Sequence, residues 1–178
     1  MLSPRRAAWA AIAATALLAG CSEGGTDLAP DLTRLKFSLD RCARGVDLTA
    51  GEGDRMPAGA CLASPNGAYA LLMQPSGTLE LAPVIAGAPG KPVWTAGGRA
   101  AEPGSATAQF QSDGNLIVYE RIDGPDTQVL WSSGSTAPLG DFHFGLTDQG
   151  ELVIRDAAGQ ALWSSKTGLA APQPAKPA

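Results

Sequence analysis

The feature that most constrains this chain is that its middle repeats. Gln74 and Gln111 lie 37 positions apart (111 − 74), and so do Trp94 and Trp131 (131 − 94). The repeated segments are Gln74-Pro75-Ser76-Gly77-Thr78-Leu79-Glu80-Leu81, Gln111-Ser112-Asp113-Gly114-Asn115-Leu116-Ile117-Val118-Tyr119 and Thr147-Asp148-Gln149-Gly150-Glu151-Leu152-Val153-Ile154. Each has a glycine at the same turn position and a leucine two residues later. Each is followed by an apolar-Trp step: Val93-Trp94, Leu130-Trp131 and Leu162-Trp163. Short alternating stretches separated by Gly, Asp and Asn predict repeated β-units. One unit cannot hide its apolar face alone, whereas three around an axis can share a core. Trp94, Trp131 and Trp163 are expected to converge there, each burying about 150–250 Å². The competing role for them is stacking on a ligand. Helical periodicity is confined to a turn near Leu32 to Leu39.

In the second repeat Gln111, Asp113, Asn115, Ile117 and Tyr119 recur every second residue. In an extended strand that period places all five on one face, with Leu116 and Val118 turned to the core. An amide, a carboxylate, a second amide, an aliphatic chain and a phenol in a row suit a sugar, whose hydroxyls both donate and accept hydrogen bonds. The bland alternative is a well-formed strand, because Asp-Gly-Asn is good turn chemistry and half-exposed strands alternate. Turn chemistry does not, however, call for Gln111 or Tyr119.

The row resembles the sugar-binding motif of the bulb-type mannose-specific lectins, Gln-x-Asp-x-Asn-x-Val-x-Tyr, with Ile117 in place of Val. The resemblance runs from about Val46 to Lys166 and includes Met56-Pro57-Ala58-Gly59 and Ser64-Pro65-Asn66-Gly67-Ala68-Tyr69. It implies an all-β domain, the β-prism II, with three antiparallel four-stranded sheets and pseudo-threefold symmetry. It also implies roles: Asp113 and Asn115 on the axial 2-hydroxyl of mannose, Gln111 on the 3-hydroxyl, Tyr119 on the 4-hydroxyl and Ile117 against ring carbons. Binding in that family uses no calcium, so no cofactor or metal is expected. Plant members often exchange C-terminal strands, and nothing in the tail here marks such an exchange.

The sister repeats have drifted. At the five motif positions the first carries Gln74, Ser76, Thr78, Glu80 and Ala82, and the third Thr147, Gln149, Glu151, Val153 and Arg155. Loss of the carboxylate and the phenol removes contacts worth about 1–3 kcal/mol each. One working site, in the second repeat, is therefore expected. Sites one and three read as plain solvated sheet faces.

The chain ends carry a different message. Arg5 and Arg6 precede an apolar run from Ala7 to Gly20, which as a helix would rise about 21 Å, short of the ~30 Å hydrocarbon core. Residues 1–20 read as a signal peptide. Leu18-Ala19-Gly20-Cys21 resembles a bacterial lipobox, which implies acyl chains on Cys21 and a lipid anchor in the cell envelope, facing outside the cytoplasm. Ser22 favours the outer membrane where one exists. The alternative is an ordinary secretory signal with a chance cysteine. Residues 21–31 read as lipidated cysteine and tether, 32–45 as an N-terminal extension, 46–166 as the lectin-like domain and 167–178 as a disordered Ala/Pro-rich tail.

Removing the signal leaves 11 Lys+Arg (13 − 2) against 17 Asp+Glu, a net charge of −6 (11 − 17). That balance argues against a nucleic-acid partner. Cys42 and Cys61 remain, and in an oxidising compartment a disulfide between them is the simplest pairing, with two buried thiols as the alternative. No CxxC spacing points to a metal or redox site. The single histidine, His143, lies between Phe142 and Phe144, and no GxSxG or phosphate-cradling glycine loop is present. The sequence therefore reads as a binding protein rather than an enzyme.

Overall fold

A computed structural model describes residues 38–44, 48–49, 55–121, 126–138 and 140–169. Its strands in chain order are β1 (Ala43–Arg44), β2 (Leu48–Thr49), β3 (Arg55–Pro57), β4 (Cys61–Ala63), β5 (Tyr69–Met73), β6 (Thr78–Ile85), β7 (Ala88–Pro89) and β8 (Trp94–Gly97). They continue as β9 (Ala106–Phe110), β10 (Leu116–Arg121), β11 (Thr127–Ser132), β12 (His143–Leu146), β13 (Leu152–Arg155), β14 (Ala161–Ser164) and β15 (Gly168–Leu169). A 3-10 turn covers Leu39–Arg41.

These strands form three sheets, one per repeat. The first runs β4-β5-β6-β8 with β1 and β7 added, the second β11-β10-β9-β3, and the third β15-β14-β13-β12-β2. Two sheets thus exceed the expected four strands, and β1 joins β4 in parallel. Three short pieces of the N-terminal segment go to three different sheets: β1 to the first, β2 to the third and β3 to the second. Nothing in the local pattern of two- or three-residue strands announces such long-range partners.

Alternation explains the core. Leu71, Met73, Leu79 and Leu81 from the first sheet, Phe110, Leu116 and Val118 from the second, and Phe144, Leu152 and Ile154 from the third are all buried in one cluster. Trp94, Trp131 and Trp163 meet edge to face, with ring centroids 5.6, 5.9 and 5.8 Å apart. Such pairs add about 0.5–1.5 kcal/mol each beyond their buried area. The three rings close the structure because each sheet supplies one. Trp163 is buried in the core, and Trp94 and Trp131 are partly buried and pack against it.

The repeats are also interlocked at their turns. The residue at the same place ahead of each motif is Tyr69, Ala106 and Phe142. Tyr69 covers the Gly150 turn of the third repeat, where a Cβ would fall inside van der Waals distance of its ring. Phe142 covers Gly114 of the second repeat, with ring carbons 3.0–3.2 Å from where a Cβ would stand. Ala106 is too short for this, and Gly77 is instead packed by the Gly98 carbonyl and Ala100.

Cys42 and Cys61 are joined by a disulfide across 19 positions. It ties the N-terminal segment to β4, and in the chain-entropy model a loop of that length contributes about 3 kcal/mol. The signal peptide, Cys21 and the tether lie outside the described residues, as does most of the expected tail. Gly168 and Leu169 pair with Ser164 and Trp163 in β15.

Candidate functional site

The three motif hairpins share one backbone frame. In the second, the Gly114 N–H donates to the Gln111 carbonyl (3.0 Å) and the Gln111 N–H to the Asn115 carbonyl (2.8 Å). In the first, Gly77 bonds to Gln74 (3.0 Å) and Gln74 to Thr78 (2.8 Å); in the third, Gly150 bonds to Thr147 (3.1 Å) and Thr147 to Glu151 (2.9 Å). The glycines sit in left-handed backbone, with φ of +79°, +87° and +68° respectively. Only glycine adopts that conformation without steric cost, which is why it stands at the same place in every repeat.

This frame corrects the expectation of a continuous strand from Gln111 to Tyr119. Regular strand begins at Leu116, and Gln111 through Asn115 form the tight connection between β9 and β10. Strand period therefore places only Ile117 and Tyr119 on the outer face. Gln111, Asp113 and Asn115 are presented by the turn, so the tip of the hairpin carries the polar half of the motif.

The polar side chains are held from behind. Asp113 Oδ1 accepts from the Asn115 N–H (3.0 Å), an Asx-type contact that closes the turn. Asn115 Oδ1 accepts from the hydroxyls of Ser132 and Ser133 (both 2.9 Å) and from the Gly134 N–H (3.1 Å). A backbone N–H can only donate, so the amide oxygen is the atom turned toward Gly134. The orientation of the Asn115 amide follows, and its nitrogen is the group left to donate elsewhere. Ser133 also accepts from the Leu116 N–H (3.0 Å) and its oxygen lies 2.7 Å from that of Ser135, which donates to the Gly114 carbonyl (2.8 Å).

Asp113 Oδ2 and Asn115 Nδ2 are thus the acceptor and donor that the turn does not consume. Gln111 and Tyr119 make no side-chain hydrogen bond among the described residues. Ile117 and Tyr119 are half-buried on β10, in register with Gln109 and Ser132, and with Thr107 and Val129, respectively. Val129 is 58 % exposed. The register of β10 with β11 shifts between Val118 and Tyr119.

The sister hairpins spend the same positions on themselves. In the first, Gln74 Nε2 donates to Glu80 Oε2 (2.9 Å), Ser76 donates to Thr78 (3.3 Å), and Ala82 is buried. In the third, Thr147 Oγ1 accepts from the Glu151 N–H (3.1 Å), and the Glu151 carboxylate lies 3.7 Å from Lys166 Nζ. Val153 there is buried, and Arg155 faces His143 across the strand pair. Asp148 accepts from the Asn66 N–H (2.9 Å), joining two repeats. Among the described residues no group of three or more His, Cys, Asp and Glu could hold a metal ion, and no helix is long and apolar enough to cross a membrane.

Sequence reasoning missed the residues that orient Asn115. Their signal was the Trp-Ser-Ser run that follows both Trp131 and Trp163. Its second serine bonds the leucine N–H of its own hairpin in each case, Ser133 to Leu116 and Ser165 to Leu152 (both 3.0 Å). Ala96 stands at that place in the first repeat.

No protein-family model and no curated protein sequence matches this chain. Solved structures do. A monomeric mannose-binding lectin from Gastrodia elata superposes with a TM-score of 0.54 at 27 % identity, covering 70 % of this chain and 100 % of that one. A lectin of Marasmius oreades gives 0.54 at 20 % identity, covering 71 % of this chain and 97 % of that one, a likeness of fold alone. The fold is a β-prism II. Its structural neighbours are bulb-type mannose-binding lectins at low sequence identity.

Proposed function

We propose that this protein binds carbohydrate through the hairpin of the second sheet, and that its ligand is mannose or a mannosylated glycan. The observation that supports this best is the pair left over by the turn. Asp113 Oδ2 can only accept and Asn115 Nδ2 can only donate, and a single sugar hydroxyl can satisfy both at once. Gln111 and Tyr119 add two more unspent polar groups, and Ile117 offers an apolar surface for ring carbons. Ile117 is one methylene larger than Val, an increment that a half-exposed site can accommodate. Chemistry here is recognition, with no bond made or broken.

A single shallow site is expected to hold a monosaccharide at roughly millimolar Kd, about −4 kcal/mol. Useful binding then comes from many copies meeting a polyvalent glycan. The signal-like N-terminus supports such display: acyl chains on Cys21 would anchor the domain to the outer surface of an envelope membrane, through the tether of residues 21–31.

A second reading has its own observation. Asp113 Oδ1 closes the turn and Asn115 Oδ1 ties it to Ser132, Ser133 and Gly134, so both residues have a structural reason to be present. On that reading the protein is a structural or protein-interaction lipoprotein on the same scaffold. Retention on immobilised mannose separates the two. The intact protein should be retarded and Asp113→Ala should run with the void, both with the same folded spectrum. Equal elution of the two proteins refutes the sugar-binding reading.

A further inference from the structure

Beside the motif, the outer face of sheet two continues across β9 to its β3 edge. Cross-strand partners point to the same face. Arg55 pairs with Gln109, and Gln109 pairs with Ile117, so these three side chains form one row across the outer face. Adjacent strands are about 4.8 Å apart, which sets the Arg55 backbone roughly 10 Å from that of Ile117. A second sugar unit together with a charged substituent carried on it spans about that distance. Arg55 is exposed and makes no ion pair among the described residues, in a protein whose overall charge is negative. Gln109 lies between Ile117 and this edge, and Gln111 follows it by two residues at the start of the motif turn. A glycan seated on the motif and extended over β9 would pass an amide and then reach a guanidinium.

We infer that Gln109 and Arg55 form a second subsite, selecting glycans whose unit next to the motif-bound sugar carries an anionic group. The inference rests on the sugar-binding reading given above. The guanidinium is a planar, permanently charged fork that accommodates either a carboxylate or a phosphate. Asp113 sits at the hairpin tip, away from β3, so the ligand's neutral hydroxyls meet the carboxylate and its charge meets the cation. The two ends of the site thus have opposite polarity and fix the direction of the chain.

The test is a set of NMR titrations of the isotope-labelled protein. The ligands are methyl α-mannoside, neutral α-1,3-mannobiose, and the same disaccharide with a 6-phosphate or a 6-carboxylate on its second unit. Either anionic disaccharide should bind about threefold to fivefold more tightly than the neutral one at low salt, the range of an exposed charge pair. The gain should vanish in 0.5 M salt (about a 4 Å screening length) and in Arg55→Gln, and survive in Arg55→Lys. Methyl α-mannoside should bind intact protein and Arg55→Gln alike. A gain with only one of the two anions identifies the group being read. Equal affinity for neutral and anionic disaccharides, or a gain that persists in Arg55→Gln, overturns the second subsite and leaves the first standing. No response to methyl α-mannoside or to any disaccharide overturns both.

Discussion

The second and third hairpins are built on the same frame and differ in what their side chains are free to do. Both close with a glycine in left-handed backbone under an aromatic ring from a neighbouring repeat: Phe142 over Gly114 and Tyr69 over Gly150. Both are braced by a serine two residues after a core tryptophan. In the third, Thr147 caps its own turn, Glu151 pairs with Lys166 and Val153 is buried. In the second, one oxygen of Asp113, the Asn115 nitrogen, the Gln111 amide and the Tyr119 hydroxyl remain unspent among the described residues. The frame belongs to the fold. Function depends on whether the side chains it presents are already satisfied from within.

The strongest way to break this comparison is to attack the shared frame. Gly150→Ala puts a methyl against the Tyr69 ring and strains a φ of +68°, and should cost about 2–5 kcal/mol of stability in urea unfolding. Gly114→Ala should cost somewhat less, about 1–3 kcal/mol, because Phe142 needs to yield only a few tenths of an ångström. If either is neutral, the turn glycines are not what unites the repeats.

The next largest effect separates bracing from presentation. Ser133→Ala removes the hydroxyl that Leu116 and Asn115 both use, and should cost about 1–3 kcal/mol and weaken any sugar binding. Ser165→Ala leaves the Leu152 N–H without its hydroxyl and should lose stability while sugar binding is unchanged. Equal effects of the two substitutions on sugar affinity would contradict a site confined to the second repeat. The smallest change is Lys166→Ala, which breaks a pair whose lysine is 52 % exposed and should shift stability by less than about 0.5 kcal/mol. A larger loss there would show that the third face is an organised structure and not a solvated one.

The repeat, the turn glycines and the tryptophans were legible in the sequence because each is a spacing of uncommon residues. The motif's residue types were legible for the same reason. Strand period was the wrong guide to its first half, where Asp113-Gly114-Asn115 obeys turn chemistry and only Ile117 and Tyr119 follow the two-residue alternation. The destinations of Ala43–Arg44, Leu48–Thr49 and Arg55–Pro57 could not be read, since a pair of residues has no pattern and the partner strands lie far along the chain. The anchoring of Asn115 by Ser132, Ser133 and Gly134 was hidden in the same way, although the repeated Trp-Ser-Ser pointed at it. Arg55 directly precedes Met56-Pro57-Ala58-Gly59 but lies outside that segment; its position beside Gln109 exists only in the folded sheet.

The central claim is that one hairpin of three is equipped to bind a sugar. Titrating the isotope-labelled protein with methyl α-mannoside at millimolar concentrations tests it most directly, because NMR shifts detect weak binding and localise it. The account predicts saturable shifts at Gln111 through Tyr119 and at Ser132 to Gly134, with Gln74–Ala82 and Thr147–Arg155 silent. Shifts spread equally over the three hairpins, or none in a well-dispersed spectrum, would contradict it.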